Sequence, residues 1–306
     1  MIELEREIKS YLHICNEQKR LSIHTIKAYS IDLEQFKQFA GNAEDISKDI
    51  ITGYIANLHK KYMPKSVKRK LASIKAFYKY METEEIFVKN PTRKVNTKFR
   101  EPIVLPRVIP LKIVNSILST AYSKLDVVNT DYLYRMALRN IAIIELLFST
   151  GLRVSELCSL NSDCIDLISG DILVMGKGAK ERVMQIGNSE VLTALNKYKN
   201  ANAIYIEQSE AFFVNRLNSR LSEQSVRALV KKLSLEANVM MHITPHMYRH
   251  TFASSLLEED VDIRYIQNML GHSSIRTTQI YTSVVAEKQR QILTFKHPRN
   301  KFTHIL

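Results

Sequence analysis

Apolar residues in the N-terminal part of the chain recur at intervals of three and four positions, which is the spacing of one face of an α-helix. Four such sets follow one another along the sequence. They are Ile8, Tyr11, Leu12 and Cys15; Ile26, Tyr29, Leu33 and Phe36; Ile51, Tyr54, Ile55 and Leu58; and Val67, Leu71, Ile74, Tyr78 and Met81. The pattern predicts a small bundle of four amphipathic helices between Glu3 and Met81.

Helical spacing returns near Ile109 and is predicted to continue through Phe148, where Ser149-Thr150-Gly151 ends the helix. A short helix carrying Val154, Leu157 and Leu160 should follow, and a further one runs from Val226 to Leu235.

Three more helices are predicted towards the C-terminus. Thr244 is expected to cap the free backbone amides of the first, and Pro245 fits its first position. Gly271 ends the next helix, which carries Ile263, Ile266 and Leu270. His272 and Ser273 then begin a helix that carries Tyr281.

Residues Asp171 to Ile186 change to the period of a β-strand. Ile172, Val174 and Met175 precede Gly176-Lys177-Gly178, and Val183, Met184 and Ile186 follow it. This arrangement predicts a β-hairpin with a glycine-flanked turn. The expected fold class is therefore mainly α with a small β-sheet.

A stretch rich in proline separates the two helical regions. Four of the seven prolines lie between Asn90 and Pro110, namely Pro91, Pro102, Pro106 and Pro110. The stretch also lacks helical periodicity, so it reads as a linker. We therefore expect an N-terminal helical domain over residues 1–90, a linker over 91–109 and a larger domain over 110–306.

The composition points to a polyanionic partner. The 306 residues carry a net charge of +13, and the pI is about 9.5. Phosphates form the commonest large anionic surface in the cytoplasm, so nucleic acid is the expected partner. Charge alone does not separate DNA from RNA.

Other classes of protein are disfavoured. No apolar run approaches the roughly eighteen residues that span a bilayer, and the N-terminus MIELEREIKS is too acidic for a signal peptide. We therefore expect a cytoplasmic protein without a membrane partner. Cys15, Cys158 and Cys164 lack metal-type spacing, so neither zinc nor a disulfide framework is indicated.

Basic side chains are concentrated on the fourth predicted helix and just after it. They are Lys65, Lys68, Arg69, Lys70, Lys75 and Lys79, followed by Lys89, Arg93, Lys94, Lys98 and Arg100. The helical group is expected to face away from the apolar stripe, either as a solvated face or as a phosphate-binding surface. Arg227, Lys231 and Lys232 are further candidates for phosphate contacts.

A smaller set of residues suits attack on a phosphodiester. His246 and Arg249 lie three apart in the first turn of a helix, close to its positive end. Arg153 sits at another helix start, where its charge opposes the helix dipole. This position is unfavourable for a cation unless it has an anionic partner, and Glu156 can orient the side chain. Lys177 lies at the hairpin turn, where it is either solvated or able to reach a DNA groove.

Four segments resemble the signature motifs of the tyrosine recombinases, and their size and spacing are most similar to the Xer branch and simple transposon integrases. They are TGLRVSEL (residues 150–157), GKGAKER (176–182), HMYRH (246–250) and LGHSSIRTTQIY (270–281). The resemblance covers the whole chain, weakly in the N-terminal bundle and strongly from Thr150 onward. It implies a SAM-like core-binding domain followed by a tyrosine-recombinase catalytic domain.

The resemblance also implies the roles of six residues. Tyr281 would attack the scissile phosphate and form a 3′-phosphotyrosyl link. Arg153 and Arg249 would hold the non-bridging oxygens, and His246 and His272 would hydrogen-bond the phosphate, with His246 as acid/base partner. Lys177 would protonate the departing 5′-oxygen. The family requires no cofactor and no metal ion, and the chain has no P-loop.

One position departs from the family pattern. The residue before Arg249 is usually aliphatic, and here it is Tyr248. Tyr248 and Tyr265 therefore compete with Tyr281 as nucleophile on proximity alone. Tyr265 is expected to pack within its helix and Tyr248 to point to a different helix face, so Tyr281 remains the expected nucleophile.

The expected function is a site-specific DNA recombinase that exchanges strands between two duplexes as a homotetramer or heterotetramer. Its role is either chromosome dimer resolution or integration and excision of a mobile element. The alternatives are a non-catalytic DNA-binding accessory protein and a type IB topoisomerase-like enzyme. The apolar C-terminal residues Ile292, Leu293, Phe295, Phe302, Ile305 and Leu306 are expected to dock either on their own domain or on a neighbouring subunit.

Overall fold

The structure is a computed structural model that describes residues 4–41, 46–86, 90–93, 95, 107–176, 181–271 and 290–301. The chain divides into two compact units, Met1–Val104 and Leu105–Leu306.

The described part of the first unit contains the four predicted helices: α1 (Leu4–Glu17), α2 (Ile23–Ala40), α3 (Lys48–Lys61) and α4 (Pro64–Thr83). Two of them begin at serine caps, because Ser22 Oγ accepts from the Thr25 amide at 3.3 Å and Ser47 Oγ from the Ile50 amide at 3.4 Å. Pro64 occupies the first turn of α4, where its missing N–H costs nothing.

The core of the first unit contains a buried polar cluster as well as the predicted apolar residues. The expectation that Lys70 faces away from the apolar stripe is wrong, since only 3% of Lys70 is exposed. Its Nζ donates to Asp32 Oδ1 at 2.9 Å and to Gln35 Oε1 at 2.6 Å. Arg69 and Ser73 also donate to Asp32. The buried carboxylate of Asp32 is stable only with charged or hydrogen-bonding partners, and Lys70 lies in the core as one of them.

The segment after α4 contributes to the same unit. Thr92 and Val95 are buried, and Val95 joins the apolar core of the bundle. Arg93 forms an ion pair with Glu82 at 2.9 Å. Lys89, Lys94, Lys98, Arg100, Pro102 and Pro106 lie outside the described residues.

The second unit is mainly α with one small sheet, as the hydrophobic pattern predicted. Its helices are α5 (Leu111–Ser123), α6 (Asp131–Thr150), α7 (Val154–Ser159), α8 (Ser189–Ala201), α9 (Ala203–Ser209), α10 (Glu223–Glu236), α11 (Pro245–Glu258) and α12 (Ile263–Leu270). Residues 290–296 are also helical. Among the residues described, α6 runs through the core, with every side chain from Ile141 to Thr150 buried.

The two paired strands of the predicted hairpin are confirmed, and residues 177–180 of the predicted turn lie outside the described residues. Strands β1 (Ile165–Asp166), β2 (Asp171–Met175) and β3 (Glu181–Gln185) form an antiparallel sheet in the order β1-β2-β3. Ile172 pairs with Met184 and Val174 with Arg182, which turns these four side chains to one face. The two-residue strand β1 was not predicted.

The region from Ile109 to Phe148 is helical as predicted, but it is divided between two α-helices. Helix α5 ends at Ser123, a 3-10 turn covers Lys124–Asp126, and α6 begins at Asp131. The new start is stabilised by Thr130, whose Oγ1 accepts from the Leu133 amide at 3.2 Å.

The described part of the C-terminal segment, residues 290–301, packs on its own unit. Ile292 and Leu293 belong to the same core cluster as α6, whereas Phe295 is 80% exposed. Phe302, Ile305 and Leu306 lie outside the described residues, so docking on the same domain applies to residues 290–301 alone.

A buried ion pair fixes this C-terminal segment. The Arg299 guanidinium donates to both oxygens of Glu145 on α6 at 2.7 Å, and both side chains are fully buried. It also donates to Glu190 at 2.9 Å. The segment therefore neutralises a carboxylate inside the domain core.

In the parts of the chain that the structure describes, no helix is long and apolar enough to cross a membrane.

Candidate active site

The turn between α6 and α7 places the first candidate residue, Arg153. Gly151 ends α6 in the left-handed conformation with φ +61°. A Cβ at this position would lie 2.8 Å from Phe252 Cδ1, so both the backbone angle and the close packing require glycine. Two residues later, Arg153 forms the N-cap of α7.

Glu156 holds Arg153 in place, as the sequence indicated. Arg153 Nη1 donates to Glu156 Oε1 at 2.7 Å, and the Arg153 backbone amide donates to Glu156 Oε2 at 2.9 Å. The Arg153 side chain is 36% exposed, whereas Glu156 is buried. The carboxylate therefore orients a guanidinium that still reaches solvent.

Arg182 is a second partner of Glu156 that sequence reasoning missed. Its Nη1 and Nη2 donate to the two carboxylate oxygens at 3.0 and 2.8 Å, and its Nε donates to the Met269 carbonyl oxygen at 2.9 Å. The residue stood in the GKGAKER motif, but the motif alone did not indicate a partner 26 positions away.

The ionisation of Glu156 follows from these contacts. Burial opposes its negative charge, but the hydrogen bonds from Arg182 and Arg153 outweigh burial and lower the pKa of Glu156 to about 2. Glu156 is therefore a carboxylate throughout the physiological pH range.

Arg249 approaches the same cluster from α11. Its Nη1 donates to the Gly151 carbonyl oxygen at 2.9 Å and its Nη2 to the Leu270 carbonyl oxygen at 2.5 Å, at the ends of α6 and α12. The same Nη1 lies 4.0 Å from Glu156 Oε2. Burial and the charge of Arg153 lower the pKa of Arg249 to about 10, so it stays protonated at neutral pH.

His246 is exposed at the start of α11, where the helix begins at Pro245 as predicted. The expected cap by Thr244 is wrong, because its side chain makes no capping hydrogen bond. Desolvation of the covered part of the ring lowers the pKa of His246, and the neighbouring side chains of His250, Arg227, Arg249 and Arg153 lower it further. His246 is therefore neutral at pH 7 and able to accept a proton.

The two competing tyrosines are accounted for by packing. Tyr248 is fully buried, and burial raises the pKa of its hydroxyl. Tyr265 is partly buried against the core of the second unit. Tyr265 therefore has the packing role expected for it, and the burial of Tyr248 shields its hydroxyl from solvent.

The remaining three candidates, Lys177, His272 and Tyr281, lie outside the described residues. The described chain reaches Gly176 on the hairpin and Gly271 after α12, each one residue before a candidate. The structure thus brings together Arg153, His246 and Arg249.

The cluster has the chemistry of a site for a phosphate-like anion. Arg153, Arg182 and Arg249 surround the single carboxylate of Glu156, which leaves an excess of positive charge. Guanidinium groups match the geometry of phosphate oxygens. Within the described ranges, no group of three or more His, Cys, Asp or Glu side chains is placed to hold a metal ion.

Comparison with known proteins shows the family to which the chain belongs. The phage integrase family matches residues 120–288, and the phage integrase N-terminal SAM-like domain matches residues 8–85. A tyrosine recombinase of Agathobacter rectalis is 52% identical over 304 residues, covering 99% of each chain. Tyrosine recombinase XerC of Thermodesulfovibrio yellowstonii is 35% identical and covers 96% of this chain and 97% of its own.

The fold agrees with these matches. A lambda integrase fragment, solved as a dimer bound to a COC′ core site, superposes with a TM-score of 0.69 at 17% identity. The superposition covers 90% of this chain and 99% of that one.

Fold, site and matches together define a site-specific DNA strand transferase. The chain belongs to the phage integrase family, whose members are tyrosine recombinases. The recombinase interpretation therefore stands over the accessory DNA-binding protein and the type IB topoisomerase-like enzyme.

Proposed function

We propose that this recombinase cuts DNA with Tyr281 and holds the strand as a 3′-phosphotyrosyl intermediate. The observation that carries the proposal is the convergence of Arg153 and Arg249 on Glu156, with His246 at the start of the same helix as Arg249. The cluster supplies positive charge where a phosphodiester gains negative charge as it is attacked.

The described residues divide the work of cleavage. Arg153, which is partly exposed, binds a non-bridging oxygen of the scissile phosphate. Arg249 is braced by two carbonyl groups and presents its remaining N–H groups to the same phosphate. Such fixed donors need no reorganisation as the transition state forms.

His246 serves as the acid/base partner of Tyr281. A phenol has an ordinary pKa near 10, so it must lose its proton to a base before or during attack. The lowered pKa of His246 keeps its imidazole neutral at pH 7, which is the form that accepts a proton.

Two further roles are assigned from the sequence motifs. Lys177 protonates the departing 5′-oxygen, and His272 hydrogen-bonds the phosphate. The free 5′-hydroxyl of one duplex then attacks the phosphotyrosine of the other, so the energy of the broken bond is retained.

The substrate is a double-stranded recombination site, and the active assembly is a homotetramer or heterotetramer. Two duplexes with two cleavage positions each require four tyrosines. A lambda integrase tetramer has been solved on a Holliday junction.

We assign residues 1–90 to core binding, 91–109 to the linker and 110–306 to catalysis. We place the activity in the cytoplasm, and fractionation of cells tests this location.

The first experiment finds the site. DNA that is covalently attached to the protein in cells is recovered and sequenced. Chromosomal sites near the replication terminus would indicate chromosome dimer resolution, whereas the ends of a mobile element would indicate integration and excision.

The second experiment tests the activity on that site. Plasmids carrying two copies should recombine with wild-type protein and not with Tyr281→Phe. Relaxation of a one-site plasmid without recombination would support a topoisomerase, and binding without any strand cleavage would support an accessory protein.

A further inference from the structure

Arg182 uses all three of its guanidinium nitrogens in contacts with two other elements. Two nitrogens form a bidentate pair with Glu156 on α7, and the third donates to Met269 on α12. Its side chain is only 12% exposed. Arg182 itself lies on β3, so three elements of the second unit meet at one guanidinium.

The bidentate pair fixes the plane of the Glu156 carboxylate. Two parallel N–H···O bonds specify orientation as well as distance. The same carboxylate accepts from the side chain and the backbone of Arg153. Movement of the Arg182 guanidinium would therefore change the direction in which Arg153 points.

The contact with α12 is equally close. A Cβ built on Gly271 would lie 3.1 Å from both Cδ and Nη1 of Arg182. Gly271 also has φ +64°, which favours glycine. The guanidinium thus lies against the residue that ends α12 and that precedes His272 in the sequence.

We propose that Arg182 is a positioning residue for DNA cleavage, holding the Glu156 carboxylate and the end of α12 at a fixed distance from one another. It acts through Glu156 and the backbone, to which all three of its guanidinium nitrogens donate, and an unchanged Kd in the variant below distinguishes this role from binding of the scissile phosphate. The proposal rests on the proposed function, since it concerns the same phosphate.

The main test compares Arg182→Lys with wild-type protein on a nicked duplex carrying the recovered site. Lysine keeps the charge but lacks the planar fork. We expect the single-turnover rate of adduct formation to fall about 10²-fold, the effect of displacing a catalytic group by about 1 Å. The Kd for the uncleaved duplex should stay unchanged.

Arg220→Lys is the matched control. Arg220 braces the other end of α7, where Nη1 donates to the carbonyl oxygens of Cys158 and Leu160 at 3.1 and 3.2 Å. It makes no described contact with α12. If both variants lower the melting temperature similarly, only Arg182→Lys should lose cleavage to this extent.

Hydrogen exchange in the free protein tests the bracing without DNA. Arg182→Lys should speed exchange in peptides spanning 153–159 and 263–271, whereas Arg220→Lys should leave 263–271 unchanged. A double variant with Glu156→Gln should cleave no more slowly than Glu156→Gln alone, because both changes disrupt one unit.

Three results would overturn the proposal while leaving the proposed function intact. These are a wild-type cleavage rate in Arg182→Lys, an equal loss in Arg220→Lys, and unchanged exchange at 263–271 in Arg182→Lys. Absence of any adduct with wild-type protein would instead overturn the proposed function, and the role of Arg182 with it.

Discussion

Glu156 is the residue on which the arginine cluster depends. It is the one carboxylate that contacts Arg153, Arg182 and Arg249 among the described residues. Without it, the three guanidinium groups would lie close together with no negative charge between them. Arg153 would also lose the partner that orients it. Its contribution should therefore be visible in stability as well as in cleavage.

The stability of the second unit should depend on pH through Glu156. Its folded pKa of about 2 lies below the ordinary value of 4.5, so its contribution is present above about pH 5 and disappears as the pH falls through 2. We expect Glu156→Gln to lower the free energy of unfolding by roughly 3 kcal/mol at pH 7. Unfolding in urea, followed by hydrogen exchange of the α7 amides, measures this free energy for both proteins. The difference between wild type and Glu156→Gln should become smaller as the pH falls towards 2. A constant difference across this range would contradict the assigned pKa.

Sequence motifs indicated the candidate site residues better than the residues that support them. Arg153, His246 and Arg249 stood at helix starts, where local rules apply. Arg182, Lys70 and Arg299 were missed because their partners lie 26, 38 and 154 positions away. Only tertiary structure brings such charges together.

At the scale of elements, periodicity predicted most of the long helices and both strands of the hairpin. It failed between α5 and α6, where Val127 and Val128 continued the apolar pattern although the Thr130 cap marked a new helix. It also missed β1, since two residues carry no period. The position of residues 290–301 depends on the ion pair between Arg299 and Glu145. The local sequence pattern could not predict this pair.

Removing Arg299 should release the C-terminal segment and destabilise the core. Arg299→Met leaves the buried Glu145 without its main partner, at a cost of about 3–5 kcal/mol. Adding Glu145→Gln should recover part of that loss, because no unpaired charge then remains. The urea midpoint of the second unit measures both effects.

Arg264→Met is the control for this prediction, since the Arg264 side chain is 78% exposed beside Asp262. It should leave the midpoint unchanged. A similar midpoint for Arg299→Met and wild type would mean that the segment does not stay docked in solution.

For the whole molecule, the charge of +13 implies a polyanionic partner, and membership of the tyrosine recombinases identifies that partner as DNA. The basic residues do not all contribute to the charge of the surface. Some of the basic residues that looked equivalent in sequence are exposed, whereas Lys70 is committed to the protein interior.

Binding measured over a range of salt concentrations should separate these lysines. Lys65→Ala and Lys79→Ala, both at exposed positions, should each reduce the salt slope of DNA binding by about one. Lys70→Ala should instead lower the stability of the first unit, because Asp32 loses a buried partner. Equal effects of the three changes on the salt slope would contradict the buried position of Lys70.

The most direct test of the central claim is to identify the residue that becomes attached to DNA. A nicked duplex with the recovered site is incubated with the protein in EDTA, and the adduct is digested with nuclease and trypsin for mass spectrometry. Cleavage after arginine and lysine places Tyr248, Tyr265 and Tyr281 in separate peptides, residues 233–249, 265–276 and 277–288. We predict a nucleotide on peptide 277–288 and no adduct with Tyr281→Phe; a nucleotide on either other peptide, or an undiminished adduct in the variant, would contradict the account.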